Sequence, residues 1–96
     1  MPLHQTALRR MSTMEVTVKL FAILGKYLPP NARHNEVRMD IATGTSVSQL
    51  MRQLHLPPEL THLAMINGVY INPGDREHTT FSPGDEFAVF PPVAGG

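Results

Sequence analysis

The 96-residue chain has no cysteine and no tryptophan. Without cysteine it has no disulfide, no thiolate metal site and no thiol nucleophile. It also lacks an excess of either charge: eight Lys+Arg face eight Asp+Glu, so the polycationic surface of a nucleic-acid binder is not expected. No apolar run approaches the length of a membrane span, about 20 residues. The opening MPLHQTALRRMST carries two arginines but no apolar stretch of the kind a signal peptide needs. There is no GxxxxGK(S/T) or GxGxxG loop to cradle nucleotide phosphates. These absences leave one small soluble domain, expected in the cytoplasm, with few parts for chemistry of its own.

Charge is unevenly distributed along the chain. Residues 1–38 hold six cations against Glu15 and Glu36, whereas residues 39–96 hold Arg52 and Arg76 against six carboxylates. Ordinary solvated charge accounts for this, although an acidic patch that steers a basic partner is the sharper reading.

Residues 1–13 show no periodicity and are expected to form a flexible N-terminal extension. From Met14, the residues Met14, Val16, Val18 and Leu20 alternate with Glu15, Thr17 and Lys19, the period of a half-buried strand. Phe21 to Leu24 is apolar without alternation, and Gly25, followed later by Pro29-Pro30, is expected to end the element. Val37, Met39 and Ile41 repeat the pattern and predict a second strand paired with the first. Ser46 followed by Gln49 fits a capping box. Val47, Leu50, Met51 and Leu54 then recur at helical spacing, predicting one helix over 46–56 that stops before Pro57-Pro58. Asn67-Gly68 is a hairpin signal between Leu63–Ile66 and Val69–Ile71. Glu86–Phe90 reads as a last strand, with Phe87 and Val89 on one side and Ala88 and Phe90 on the other. Strands around one packed helix make an α+β domain.

The ending Pro91-Pro92-Val93-Ala94-Gly95-Gly96 is the most informative stretch. Two prolines stop ladder pairing and hold the exit extended. Two glycines then give a tip thin enough to enter a narrow pocket of another protein. A frayed terminus is the plain alternative. Phe90 is either a partner-interface anchor or a side chain covered by its own domain.

The run Asp85-Glu86-Phe87-Ala88-Val89-Phe90-Pro91-Pro92-Val93-Ala94-Gly95-Gly96 resembles the ending of MoaD/ThiS-type sulfur carriers, in particular the small subunit of molybdopterin synthase. Phe21-Ala22, Thr45-Ser46-Val47 and Ile66-Asn67-Gly68 agree in order. The resemblance implies a β-grasp, ubiquitin-like fold over residues 14–96: four or five mixed strands around the helix, the first and last adjacent, with a mobile tail at 91–96. It also implies a role. An E1-like adenylyltransferase of the MoeB type activates the Gly96 carboxylate, a sulfurtransferase donor supplies sulfur, and the resulting thiocarboxylate serves the large subunit of molybdopterin synthase or an equivalent acceptor. By this resemblance Gly96 is the reacting residue, and Phe90, Pro91, Pro92, Val93, Ala94 and Gly95 bind partners. ATP and Mg²⁺ would belong to the activating partner, leaving this chain a non-catalytic subunit with no cofactor of its own. Carriers for thiamin synthesis or tRNA thiolation, and a modifier joined to lysines through Gly96, share the same activation. A stand-alone interaction domain with an inert tail is the remaining alternative.

Other constellations are weaker. His4, His34, His55, His62 and His78 fall in separate segments without metal-ligand spacing, so no metal is expected. Asp75, Glu77, Asp85 and Glu86 lie near turns, where turn chemistry accounts for them. Ser46 is explained by capping.

Overall fold

The alternation that opens the domain becomes β1 (Thr13–Leu20), in which Met14, Val16, Val18 and Leu20 are all buried. The computed structural model describes residues 12–92. The expectations for residues 1–11 and for Val93, Ala94, Gly95 and Gly96 lie outside them. β2 (Glu36–Ala42) runs antiparallel to β1, with Val37 opposite Val18 and Ile41 opposite Met14. Apolar residues therefore meet on one face, as period two requires.

β1 ends at Leu20, before the Gly25 that the sequence points to, and close to the Phe21-Ala22 end that the resemblance implies. Ala22 takes φ 54°, which breaks the extended chain, and a 3₁₀ segment follows over Ala22–Tyr27. It drops Leu24 into the core. Gly25 leaves room there for a close approach: a Cβ would lie 2.7 Å from Asn35 Nδ2 and would displace the amide that donates to the Leu20 carbonyl at 2.9 Å.

The capping box forms as predicted. Ser46 Oγ accepts the Gln49 N–H at 3.1 Å, and Gln49 Oε1 accepts the Ser46 N–H at 2.8 Å. Helix α1 (Val47–Gln53) is shorter than the predicted 46–56 span. His55 adopts φ 59°; its N–H donates to Arg52 O at 3.0 Å and that of Leu56 to Met51 O at 3.1 Å. This is a Schellman ending, with histidine in the left-handed position glycine usually takes. It stops the helix before the prolines do.

β3 (Leu63–Ile66) and β4 (Val69–Tyr70) form the hairpin that Asn67-Gly68 announces. Both turn residues have positive φ, 51° and 81°, the geometry of a type I′ turn. β5 (Glu86–Phe90) closes the sheet in the order β2-β1-β5-β3-β4, parallel to β1 and antiparallel to β3. The mixed sheet covers α1 with one face. Val16, Val18, Leu20, Val47, Leu50, Leu54 and Phe87 are buried together, as the sequence predicts. Phe81 meets Phe87 edge-on at 5.3 Å.

Candidate functional site

The geometry of β5 decides where the chain's last residues leave the domain. Because β5 is parallel to β1, its end lies beside the end of β1, where Leu20 faces Val89. On its other side Phe90 faces Leu63, the first residue of β3. Phe87 and Val89 point into the core and are fully buried. Ala88 and Phe90 therefore point to the opposite sheet face.

Phe90 is half-buried. Its ring stacks on that of Phe21 with centroids 4.2 Å apart and planes 2° from parallel. Its own chain thus covers one side of the ring, and part of it stays accessible. Leu63 and Tyr70 on the same sheet face are 40% and 49% exposed, and Met65 between them is half-buried. An apolar band of Phe21, Phe90, Leu63, Met65 and Tyr70 thus lies at the root of the tail. Pro91 is half-buried and Pro92 exposed, both outside the ladder.

Charge borders this band. Lys19 Nζ lies 3.0 Å from Glu86 Oε2 and 3.8 Å from Glu36 Oε1. The hydrogen bond to Glu86, helped by the field of both carboxylates, raises the Lys19 pKa above its ordinary 10.5 even though desolvation works against it.

The other carboxylates singled out in the sequence have structural partners. Asp85 accepts from the Ser82 N–H at 2.8 Å and from Asn67 Nδ2 at 2.9 Å, while Asn67 Oδ1 accepts the Glu86 N–H at 2.9 Å. These bonds pin the start of β5 to the β3–β4 turn. Glu77 pairs with Arg52 at 3.2 Å, and Asp75 belongs to the 3₁₀ turn Pro73–Asp75. Among the described residues, no three His, Asp or Glu side chains gather as metal ligands would, and no helix is long and apolar enough to cross a membrane.

Two features escaped the sequence reading. The Phe21–Phe90 stack joins residues 69 positions apart, and no local pattern could announce it. Arg76 is buried, with Nη1, Nη2 and Nε donating to the carbonyls of Thr61, His62 and Ile71 at 2.6, 3.1 and 3.2 Å. A buried arginine is uncommon, but composition alone gives no sign of which arginine is buried.

The family model described as the ThiS family matches residues 18–96. No match was found among curated proteins. Among solved structures, the chain is similar to SAMP1 from Haloferax volcanii, at 26% identity over 85% of this chain and 99% of that one, with a TM-score of 0.60. The Haloferax volcanii HVO 2177 protein is 23% identical over 88% of each chain, with a TM-score of 0.66. A chain in the protein–protein complex of subunits 1 and 2 of molybdopterin-converting factor from Helicobacter pylori is 18% identical, over 86% of this chain and 100% of that one, at a TM-score of 0.54. The last two likenesses speak to the fold alone, and that fold is β-grasp.

Proposed function

The chain belongs to the ThiS family, and from that membership we propose that it is a cytoplasmic sulfur carrier whose working group is the Gly96 carboxylate. A carboxylate is a poor acyl donor, so it needs activation. On this reading an E1-like partner joins a Gly96 oxygen to the α-phosphorus of ATP and pyrophosphate leaves. The persulfide sulfur of a sulfurtransferase donor then attacks the acyl carbon, and AMP leaves. A second thiol cleaves the sulfur–sulfur bond, which leaves a thiocarboxylate as the nucleophile delivered to substrate.

One observation carries this reading: the central strand of the sheet ends at Phe90, directly before Pro91-Pro92 and beside an accessible apolar band, and the family match runs on from there to residue 96. The rigid domain would serve as a handle, and the tail would bring the reacting atom into a partner's site. The Pro91-to-Gly96 ending favours molybdopterin synthesis, and the Helicobacter pylori complex supports a partner of the large-subunit kind; the accessible band around Phe90 and Leu63 is the surface we assign to it.

The test is a reconstituted reaction with an E1-like enzyme, ATP, Mg²⁺ and a sulfur donor, read by intact mass. Replacement of one terminal oxygen by sulfur is the expected result; an unchanged mass refutes the proposal. A second reading, a modifier joined through Gly96 to lysines of other proteins, is favoured by the similarity to SAMP1, whose name denotes a small archaeal modifier protein. Branched peptides ending in this chain's tail on cellular proteins would support it.

A further inference from the structure

The sheet order leaves β2 at one edge, paired with β1 on its inner side alone. The bonds at its two ends show which backbone groups face outward. Asn35 O accepts the Leu20 N–H at 3.0 Å, and Ser12 O accepts the Thr43 N–H at 3.0 Å, so the odd-numbered residues in this register bond to β1. In an antiparallel ladder the alternate residues turn their N–H and C=O the other way. Those residues are Glu36, Arg38, Asp40 and Ala42. The Glu36 groups are closed by Arg33, at 2.9 and 3.0 Å, and the Ala42 carbonyl by the Thr45 N–H at 3.1 Å. Arg38 and Asp40 lack such closure: among the described residues, no turn or loop bond reaches their backbone. Both side chains are exposed.

We propose that this short edge pairs with the same edge of a second copy of the chain, antiparallel and centred on Met39. The proposal does not depend on the carrier reading. Charge selects the register. Self-pairing about Arg38 sets that arginine against its own counterpart, and self-pairing about Asp40 does the same for the aspartate; like charges directly opposite are destabilising. Pairing about Met39 instead sets Arg38 opposite the second copy's Asp40, and Asp40 opposite the second copy's Arg38. Every open backbone group on these two residues then finds a partner, because each such pair exchanges both of its N–H···O bonds. The centre fits as well. Met39 is half-buried between buried Val37 and Ile41, and its pair is the non-hydrogen-bonded kind, in which side chains come closest. The two methionines cover each other's accessible part. The Arg33–Glu36 bridge and the turn at 42–45 bound the edge on either side, so the interface is small and the dimer transient. β5 and the apolar band lie beyond β1, so pairing leaves the root of the tail open in both copies.

The experiment is sedimentation velocity of the full-length chain from about 10 μM to about 1 mM, where transient interfaces form and dissociate. Amide hydrogen exchange is read at both ends of that range. Wild type should pass from monomer to dimer, and the Arg38 and Asp40 amides should exchange at least about five-fold more slowly at the upper concentration. Arg38→Asp and Asp40→Arg should each stay monomeric throughout, with the circular dichroism of the wild type. Their equimolar mixture should recover the dimer, because one chain then brings two carboxylates and the other two guanidinium groups. A chain carrying both substitutions should dimerise as the wild type does, and it decides the matter if a single variant fails to fold. A wild type that is monomeric at the upper concentration overturns the proposal, and so does a dimer that either single variant retains. A mixture of folded variants, or a doubly substituted chain, that stays monomeric overturns it too. Slow exchange of the Arg38 and Asp40 amides in the monomer would mean that another part of the same chain covers the edge, which also overturns it.

Discussion

Arg76 shows how much one side chain contributes to holding this domain together. Its guanidinium fork closes three backbone carbonyls on two segments, Thr61-His62 and Ile71, that have no ladder to satisfy them. Replacing it by alanine strands these acceptors, and an unsatisfied buried group costs about 1–3 kcal/mol. Urea titration of Arg76→Ala should show a loss of about 2–4 kcal/mol, and Arg76→Lys should recover less than half, because an ammonium cannot span the fork. Lys19 makes a different prediction. Its pKa is raised in the folded state, so its contribution is fully present below the ordinary value of 10.5 and is lost as pH rises through the raised one. The stability difference between wild type and Lys19→Met should therefore be constant on the alkaline side up to about pH 10 and shrink above it. Persistence of the full difference above that range would show that Glu86 does not hold the proton on Lys19.

Among the elements, α1 is the one whose ends are most specified. Its start is satisfied from three sides: Ser46 Oγ, the Thr79 carbonyl accepting the Val47 N–H at 2.8 Å, and the Arg76 carbonyl accepting the Ser48 N–H at 3.0 Å. Its end places a histidine at positive φ, where a side chain brings strain and glycine does not. His55 is exposed, so the strain lies in the backbone and not in lost packing. His55→Gly should raise stability by about 0.5–1 kcal/mol, and Ser46→Ala should lower it by about 1 kcal/mol. Thermal unfolding of the two variants checks both signs. If the loss at Ser46 is no larger than at an exposed helix position such as Gln53, the loop at Arg76–Thr79 is the dominant cap.

For the whole molecule, folding and the proposed activity occupy different parts of the chain. The core lies between α1 and one sheet face, while the proposed reacting group lies six residues beyond β5. Deleting Gly96, or adding one residue after it, should leave the melting temperature unchanged and abolish thiocarboxylate formation, since one extended residue displaces the carboxylate by about 3.3–3.6 Å. A deletion variant that gains sulfur at the wild-type rate would dismiss Gly96 as the reacting residue. Phe90→Asp should act at the other end of the apparatus. It places a charge in the apolar band between Phe21 and Leu63, raising the apparent dissociation constant for the partner before it alters the chemical step.

Strand, helix and turn were legible because each rests on neighbours in the chain. Period two made β1, β2 and β5 readable, the 3–4 spacing revealed the face of α1, Ser46 with Gln49 predicted its cap, and Asn67-Gly68 its hairpin turn. The tail residues stood out for the same reason: two prolines and two glycines act on the backbone whatever surrounds them. Where an ending depended on an unusual conformation of an ordinary residue, as at Ala22 and His55, the boundary moved, because a positive φ in alanine or histidine is imposed by packing and leaves no trace in composition. The stack of Phe21 on Phe90, the bracket of Asn67 on Asp85 and Glu86, and the clamp of Arg76 were decided by tertiary structure alone. Apart from the Arg76 bond to Ile71, five positions away, these contacts join residues 14 to 69 positions apart, and only the parallel placement of β5 against β1, set by the closing of the sheet over α1, brings the first of these pairs within reach.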